Sequence, residues 1–397
     1  MLSKKAGKKV EKGDYSKILK ITFALLRFEM KGKMLGDDKN LITPETLSAV
    51  YKLSKKHDLA HLITDALDKN GFLPDDLSQK QTILQERNMA VCRYEQQKYE
   101  FDEFCRTLEE AKIPFIPLKG VVLRESYPEP WMRTSCDIDV FVRKEDLQKA
   151  ISLLIEKNKY RCDSIGEYDA QLYSNSGVHF ELHFSLTETT SPEKEKVLFN
   201  NIFDKAVGET YKKSLTDEIN YCYHFSHIAK HLRYGGCGIR AVLDTMILNE
   251  AVAHDREKRE RLLEETGLLK LSKAIEKLSR VWFDGEMEDE TSKVLSDFII
   301  LGGVYGDFKN KVIAQQTGKR NKVTYLFSRL FLPYEQMKYK YPKLQKRPIL
   351  YPFYVVKRWF LMLNKDARTL AKKEVNQTIN RDDKQEEIIK TLKELGL

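Results

Sequence analysis

An α+β architecture, one small sheet set between two helical regions, is the fold class this sequence predicts. Three observations carry it. Residues 15–110 show apolar residues at helical spacing, interrupted by only a few stop signals. From Ile113 to Leu186 the pattern changes to short apolar runs and period-two alternation, with two helical segments among them. Beyond Ser191 helical spacing returns and continues to Leu397. Strands grouped together and flanked by helices point to α+β rather than to repeated βαβ units. The expected organisation is an N-terminal helical region 1–111, a sheet core 112–190, a helical domain 191–318 and a basic, aromatic helical region 319–397. A chain of 397 residues has room for two or three domains at ~100–200 residues each.

Taken in order, Thr43-Pro44-Glu45 reads as a helix start: a hydroxyl cap, proline at the first helical position, then an acid in the first turn. Gly71 reads as a stop. Leu77 to Ala111 reads as one long helix, with Ile83, Met89, Val91, Tyr94, Phe101, Phe104 and Leu108 at roughly helical spacing. Pro114 to Leu118, apolar and flanked by prolines, reads as a strand, and Lys119 to Tyr127 as a helix. The next strand begins at Cys136 and runs through Val142. Glu145 to Lys157 is helical, and strands follow near Tyr160, at Ala170–Tyr173 and at Val178–Leu186. No internal repeat of fixed period is present.

Composition excludes several classes. Hydrophobic residues make up 42% and charged residues 32%, the balance of a globular chain. The six cysteines form no CxxC pair and no disulfide framework, so zinc-finger spacing is absent and a reducing cytoplasm is expected. The basic N-terminus (Lys4, Lys5, Lys8, Lys9, Lys12) precedes an apolar stretch, Ile18 to Phe28, that Lys20 and Arg27 interrupt. A signal peptide is therefore not expected. Nor is a membrane-spanning helix, which needs about 18 or more consecutive apolar residues. The net charge of +9 fits an anionic ligand, a nucleic acid or a lipid surface without choosing among them.

The chemistry concentrates in Cys136-Asp-Ile-Asp-Val-Phe-Val142. On a strand, alternate side chains share a face, so Asp137 and Asp139 project together while Ile138 and Val140 enter the core. Paired carboxylates repel, and a divalent cation such as Mg²⁺ removes that penalty. The bland reading is an ordinary turn, but a solvent-exposed turn has no need of the apolar run that follows. The same alternation in Val178-His-Phe-Glu-Leu-His-Phe184 places His179, Glu181 and His183 on one face. Glu181 is then a third acid for a metal site, or part of a polar row on an exposed edge strand. Zinc held by the two histidines would need a further nitrogen or sulfur ligand, and none stands at fixed spacing.

These residues resemble a known family. Pro117-Leu-Lys-Gly120, Tyr127-Pro-Glu-Pro-Trp-Met-Arg133, Asp137-Ile-Asp139 and Glu181-Leu-His183 are similar to the uncharacterised bacterial nucleotidyltransferases (NTP_transf_5), within the polymerase-β-like superfamily. The likeness continues through His227-Ile-Ala-Lys-His231 and Gly238-Ile-Arg240 to Asp244, and spans roughly residues 15–360. It implies a small mixed sheet flanked by helices, with a helical domain after it. It also implies that Asp137, Asp139 and Glu181 are metal ligands for two Mg²⁺ ions, with Mn²⁺ as a substitute, and that Glu181 serves as general base. An NTP is the implied substrate; the acceptor hydroxyl is left unnamed. Where most of the superfamily carries Gly-Ser after the first strand, this chain carries Lys119-Gly120, which leaves the manner of triphosphate binding open.

Nucleotidyl transfer also needs cations near the leaving phosphates. Lys119 and Arg133 are the candidates, with Gly120 allowing close backbone approach. Their bland readings are a solvated loop lysine and a structural ion pair. His183, Lys230, His231 and Arg240 are further candidates for nucleotide binding. Tyr223 to Leu232 is an expected helix on which His227 and His231 share a face, and Arg240 and Asp244 have the spacing to pair with each other on the next helix.

The last region is basic. Residues 319–373 hold fifteen Lys or Arg against two acids, so the remainder of the chain has a small acidic excess. Aromatics interleave: Tyr325, Phe327, Tyr334, Tyr339, Tyr341, Tyr351, Phe353, Tyr354, Trp359 and Phe360. Such a stretch binds single-stranded nucleic acid, rests on a membrane surface, or packs its aromatics on a core. Residues 338–363 favour the membrane surface, and the absence of a recognisable nucleic-acid module disfavours nucleic acid. Two alternatives to nucleotide transfer onto a small molecule or protein follow: a membrane-surface module with a vestigial catalytic fold, and a nucleic-acid tailing or binding protein.

Overall fold

The computed structural model describes residues 12–73, 76–251, 255–317, 322–341, 343–361 and 365–397. Lys4, Lys5, Lys8 and Lys9 of the basic N-terminus lie outside them, as do residues 342, 362 and 363 of the aromatic stretch. The first helices are α1 (Lys12–Lys31), α2 (Pro44–Lys56), α3 (Ala60–Lys69) and α4 (Leu77–Glu110). α2 begins where its cap predicts. The Thr46 amide donates to the Thr43 hydroxyl, and the Thr43 amide donates to Thr46 Oγ1 at 2.8 Å, which satisfies two amides that a helix start leaves unpaired. Gly71, at φ +71°, turns the chain out of α3, while the Phe72 amide closes on Leu67 O at 2.9 Å.

The sheet region runs β1 (Phe115–Pro117), the short α5 (Gly120–Leu123), β2 (Asp137–Val142), α6 (Leu147–Asn158), β3 (Arg161–Ile165), β4 (Asp169–Tyr173) and β5 (His179–His183). Among the described residues these five strands form one mixed sheet in the order β1-β2-β5-β4-β3. β2 and β5 are parallel; every other pair is antiparallel. The edge-strand alternative for the His179–His183 row is thereby overturned, because β5 lies at the centre, paired on both sides.

One face of the sheet is covered. Ile138, Val140 and Val142 of β2, Phe180 and Leu182 of β5 and Ala170 and Leu172 of β4 pack with Phe101, Phe104, Cys105 and Leu108 of α4 and Leu147, Ala150, Ile151 and Leu154 of α6. Removing the valine, leucine, isoleucine and phenylalanine side chains among them from water contributes ~1.5–3 kcal/mol each. Because successive side chains alternate, the same burial turns Asp137, Asp139, Gln171, His179, Glu181 and His183 to the opposite face.

The chain then continues through α7 (Glu193–Phe199), α8 (Asp217–Arg233), α9 (Gly238–Ala251), α10 (Arg256–Thr266), α11 (Leu269–Asp284) and α12 (Glu290–Gly302). The remaining helices are α13 (Phe308–Ala314), α14 (Lys322–Leu330), α15 (Tyr334–Lys340), α16 (Lys343–Lys346), α17 (Tyr351–Leu361), α18 (Lys365–Ile379) and α19 (Asp383–Glu394). The chain divides into two compact units. One runs to His227 and resumes over Ile239–Glu288; the other comprises Ile228–Gly238 and Asp289–Leu397. The second unit carries its own small core of Met337, Leu344, Tyr354 and Val355, bordered by Tyr334, Tyr341 and Tyr351. Its aromatics thus divide. Tyr334, Tyr341, Tyr351 and Tyr354 pack inward, whereas Phe353, Trp359 and Phe360 are exposed, together with Ile349. Among the described residues no helix is long and apolar enough to cross a membrane.

Candidate active site

The parallel pairing of β2 and β5 builds the site. Its register sets Asp137 opposite His179 and Asp139 opposite Glu181. Two acids two residues apart on one strand therefore meet a third acid and two imidazoles on the neighbouring strand. One ligand atom each from Asp137, His179 and Glu181 lies within 4.8 Å of the other two, and the same holds for Asp139, Glu181 and His183. Oxygen donors dominate both groups, and Glu181 belongs to both. This donor set fits divalent cations, for which carboxylate oxygens are the preferred ligands.

Electrostatics mark Asp139 as the most constrained carboxylate of the three. Burial opposes its ionisation, yet Lys119 Nζ and His183 Nε2 each donate to its Oδ1 at 2.7 Å and hold it well below the usual carboxylate range. Asp137 goes the other way: burial, and then the Asp139 charge, raise its pKa. Glu181 is lowered by the bond from His183 Nε2, at 3.4 Å. Burial works against a charged His183, but its two carboxylate partners prevail and raise it. Lys119 is likewise raised despite burial, chiefly by Asp139. Three negative groups on one face are thus tolerated because a lysine and a histidine stand among them.

Lys119 is not the solvated loop lysine of the bland reading. It sits between β1 and α5 at φ +48°, ψ −118°, a backbone conformation that a residue with a Cβ rarely adopts. Its carbonyl accepts from the Val122 and Leu123 amides, and the neighbouring Leu118 amide donates to Asp139 O at 3.0 Å. Its side chain turns back over β2 to reach Asp139.

Gly120 departs from the expectation of close approach to a phosphate. A Cβ there would meet Arg133 Nη1 at 3.0 Å and the Ser135 Cβ at 3.2 Å, so the protein's own side chains fill the space. Arg133 is in the ion pair of its bland reading. Its Nε and Nη2 reach Asp244 Oδ1 and Oδ2 at 3.3 and 3.0 Å, and the Tyr127 hydroxyl donates to the same Oδ1 at 2.6 Å. Arg240 and Asp244 do not pair with each other. Arg240 Nη1 instead reaches Asp58 Oδ2 at 2.7 Å and Thr134 O at 2.9 Å, because the loop after β1 offers each of them a partner that the helix does not. Lys230 and His231 lie on the part of α8 that belongs to the second unit.

Some residues escaped sequence reasoning. Arg124 is buried and donates to Gly120 O, Gln97 Oε1 and Ser135 Oγ, with burial and then Arg133 lowering its pKa to about 10. Gln171 of β4 bonds both His179 and Glu181. The alternation in Asp169-Ala-Gln-Leu-Tyr173 was the available signal for Gln171; nothing local announced Arg124.

A family model described as an uncharacterised nucleotidyltransferase matches residues 43–284, which contain every element that builds this site. No curated protein and no solved structure matches the chain.

Proposed function

Since this chain belongs to the uncharacterised nucleotidyltransferase family, we propose that it moves a nucleoside monophosphate from an NTP to an acceptor hydroxyl of a small molecule or protein. The observation that carries this reading is the β2–β5 register, which brings Asp137, Asp139 and Glu181 onto one face of adjacent strands. In such a reaction the acceptor oxygen forms a bond to the α-phosphorus, the bond to the β-phosphate oxygen breaks, and the acceptor proton is left for a base. Bound Mg²⁺ ions would supply charge neutralisation at the attacking and leaving oxygens. Asp137, Asp139 and Glu181 would hold them, and Glu181 would also accept the proton. Lys119 and His183 bring positive charge to the same face for a triphosphate. Arg133 and Arg240 act by fixing the loop between β1 and β2.

The test is incubation of the purified protein with each labelled NTP, Mg²⁺ and cell extract. Label should pass to an acceptor with the unaltered protein and not with Asp137→Ala/Asp139→Ala. Retention of full transfer by the double variant would sink the assignment.

A second reading concerns the surface of α17 and its neighbours. Phe353, Phe360 and Ile349 are 63%, 68% and 88% exposed in a region of strong positive charge. This combination supports peripheral contact with an anionic membrane through residues 338–363. Replacing the three residues by serine should at least halve pelleting with phosphatidylserine vesicles; unchanged pelleting would refute the contact.

A further inference from the structure

The geometry points to His179 as an additional metal ligand, so that the position between Asp137 and Glu181 prefers a first-row transition-metal ion to Mg²⁺. The argument begins with Gln171. Its Nε2 lies 3.2 Å from Asp169 Oδ2 and 3.4 Å from Glu181 Oε1. Ionised carboxylates only accept, so the Gln171 amide must present its NH₂ group to them. Its Oε1 then faces His179, whose Nε2 stands 2.5 Å away. A carbonyl oxygen also only accepts, so His179 Nε2 carries the proton. Nδ1 of the neutral ring is left with its lone pair, the form in which imidazole binds metal. A histidine ligand that donates its other ring N–H to a carbonyl is the usual arrangement around protein-bound metals.

Two further facts favour a metal role. One ring nitrogen of His179 lies within 4.8 Å of ligand oxygens of both Asp137 and Glu181. The ring is also stacked on Tyr173, with centroids 4.6 Å apart and planes inclined by 16°, which fixes its orientation. Imidazole suits transition metals, whereas Mg²⁺ prefers oxygen donors alone. Gln171, joined to both His179 and Glu181, is a positioning residue for this ligand pair.

The inference rests on the transferase reading for its purpose, but its test does not. The full-length protein is titrated calorimetrically with NiCl₂ and with MgCl₂, without nucleotide, because Ni²⁺ favours imidazole nitrogen and Mg²⁺ does not. In His179→Asp the ratio of Ni²⁺ to Mg²⁺ affinity should fall about tenfold, with Mg²⁺ binding retained or tightened. Retained Mg²⁺ binding also shows that the variant is folded. Gln171→Leu should weaken Ni²⁺ binding by about tenfold, as loss of an outer partner of a metal-bound histidine does. An unchanged ratio in His179→Asp overturns the inference, even in a protein that transfers nucleotide fully. A shifted ratio supports it, even in a protein that transfers none.

Discussion

Asp139 is a carboxylate 4% exposed to solvent on which a lysine and a histidine converge. Charges so placed persist only with partners, because the desolvation of each ion must be offset by its neighbours. The same rule governs Asp244, which is 3% exposed and meets both Arg133 and Tyr127. Asp244→Ala would leave the Arg133 guanidinium buried without its counter-ion. The expected loss is ~3–5 kcal/mol, read as a shift in the urea midpoint; a loss well under 1 kcal/mol would show that the pair is not structural. The shared face of Asp137 and Asp139 and the phase of Glu181 were legible in the sequence because strand alternation is local. The partners of Arg133 and Arg240 were not, since Asp244 lies 111 residues from Arg133 and Asp58 lies 182 from Arg240. Helical i, i+4 spacing favoured the wrong pair.

At the scale of elements, the sheet face owes its chemistry to register. A shift of one residue between β2 and β5 would turn one set of polar side chains into the core and abolish the cluster, so the buried row Ile138, Val140, Phe180 and Leu182 also protects the site. The packing of α1 against α3 supplies a pH-dependent element. Glu29 of α1 is buried beside Asp65 and Lys69 of α3, and burial, which outweighs Lys69, raises its pKa to about 7. A carboxyl whose pKa is raised by folding binds its proton more tightly in the folded state. Its contribution to stability is therefore complete below the unfolded value of ~4.3 and is lost as pH rises through about 7. Glu29→Gln should accordingly raise the melting temperature relative to the unaltered protein at pH 8 and much less at pH 5. An equal effect at both values would show that Glu29 is ionised throughout.

Over the whole molecule, the excess of positive charge in residues 319–373 is set apart from the acidic sheet face in sequence, and the two belong to different compact units. If the exposed aromatics meet anionic lipid, vesicle binding should weaken as salt is added, because surface charges beyond ~10 Å are screened at 0.1 M. The sequence by itself determined the α+β class, the helix start at Thr43, the strand carrying Asp137 and Asp139, and the phase of Glu181. Each of these depends on residues within a few positions of one another. Tertiary structure alone decided that β5 is central rather than at an edge, that Lys119 turns back onto Asp139, that Arg133 is held by Asp244, and that Gln171 orients His179. Those facts depend on which strands pair and on which loops and helices meet across long sequence separations, and both are fixed by packing between elements rather than by any local pattern.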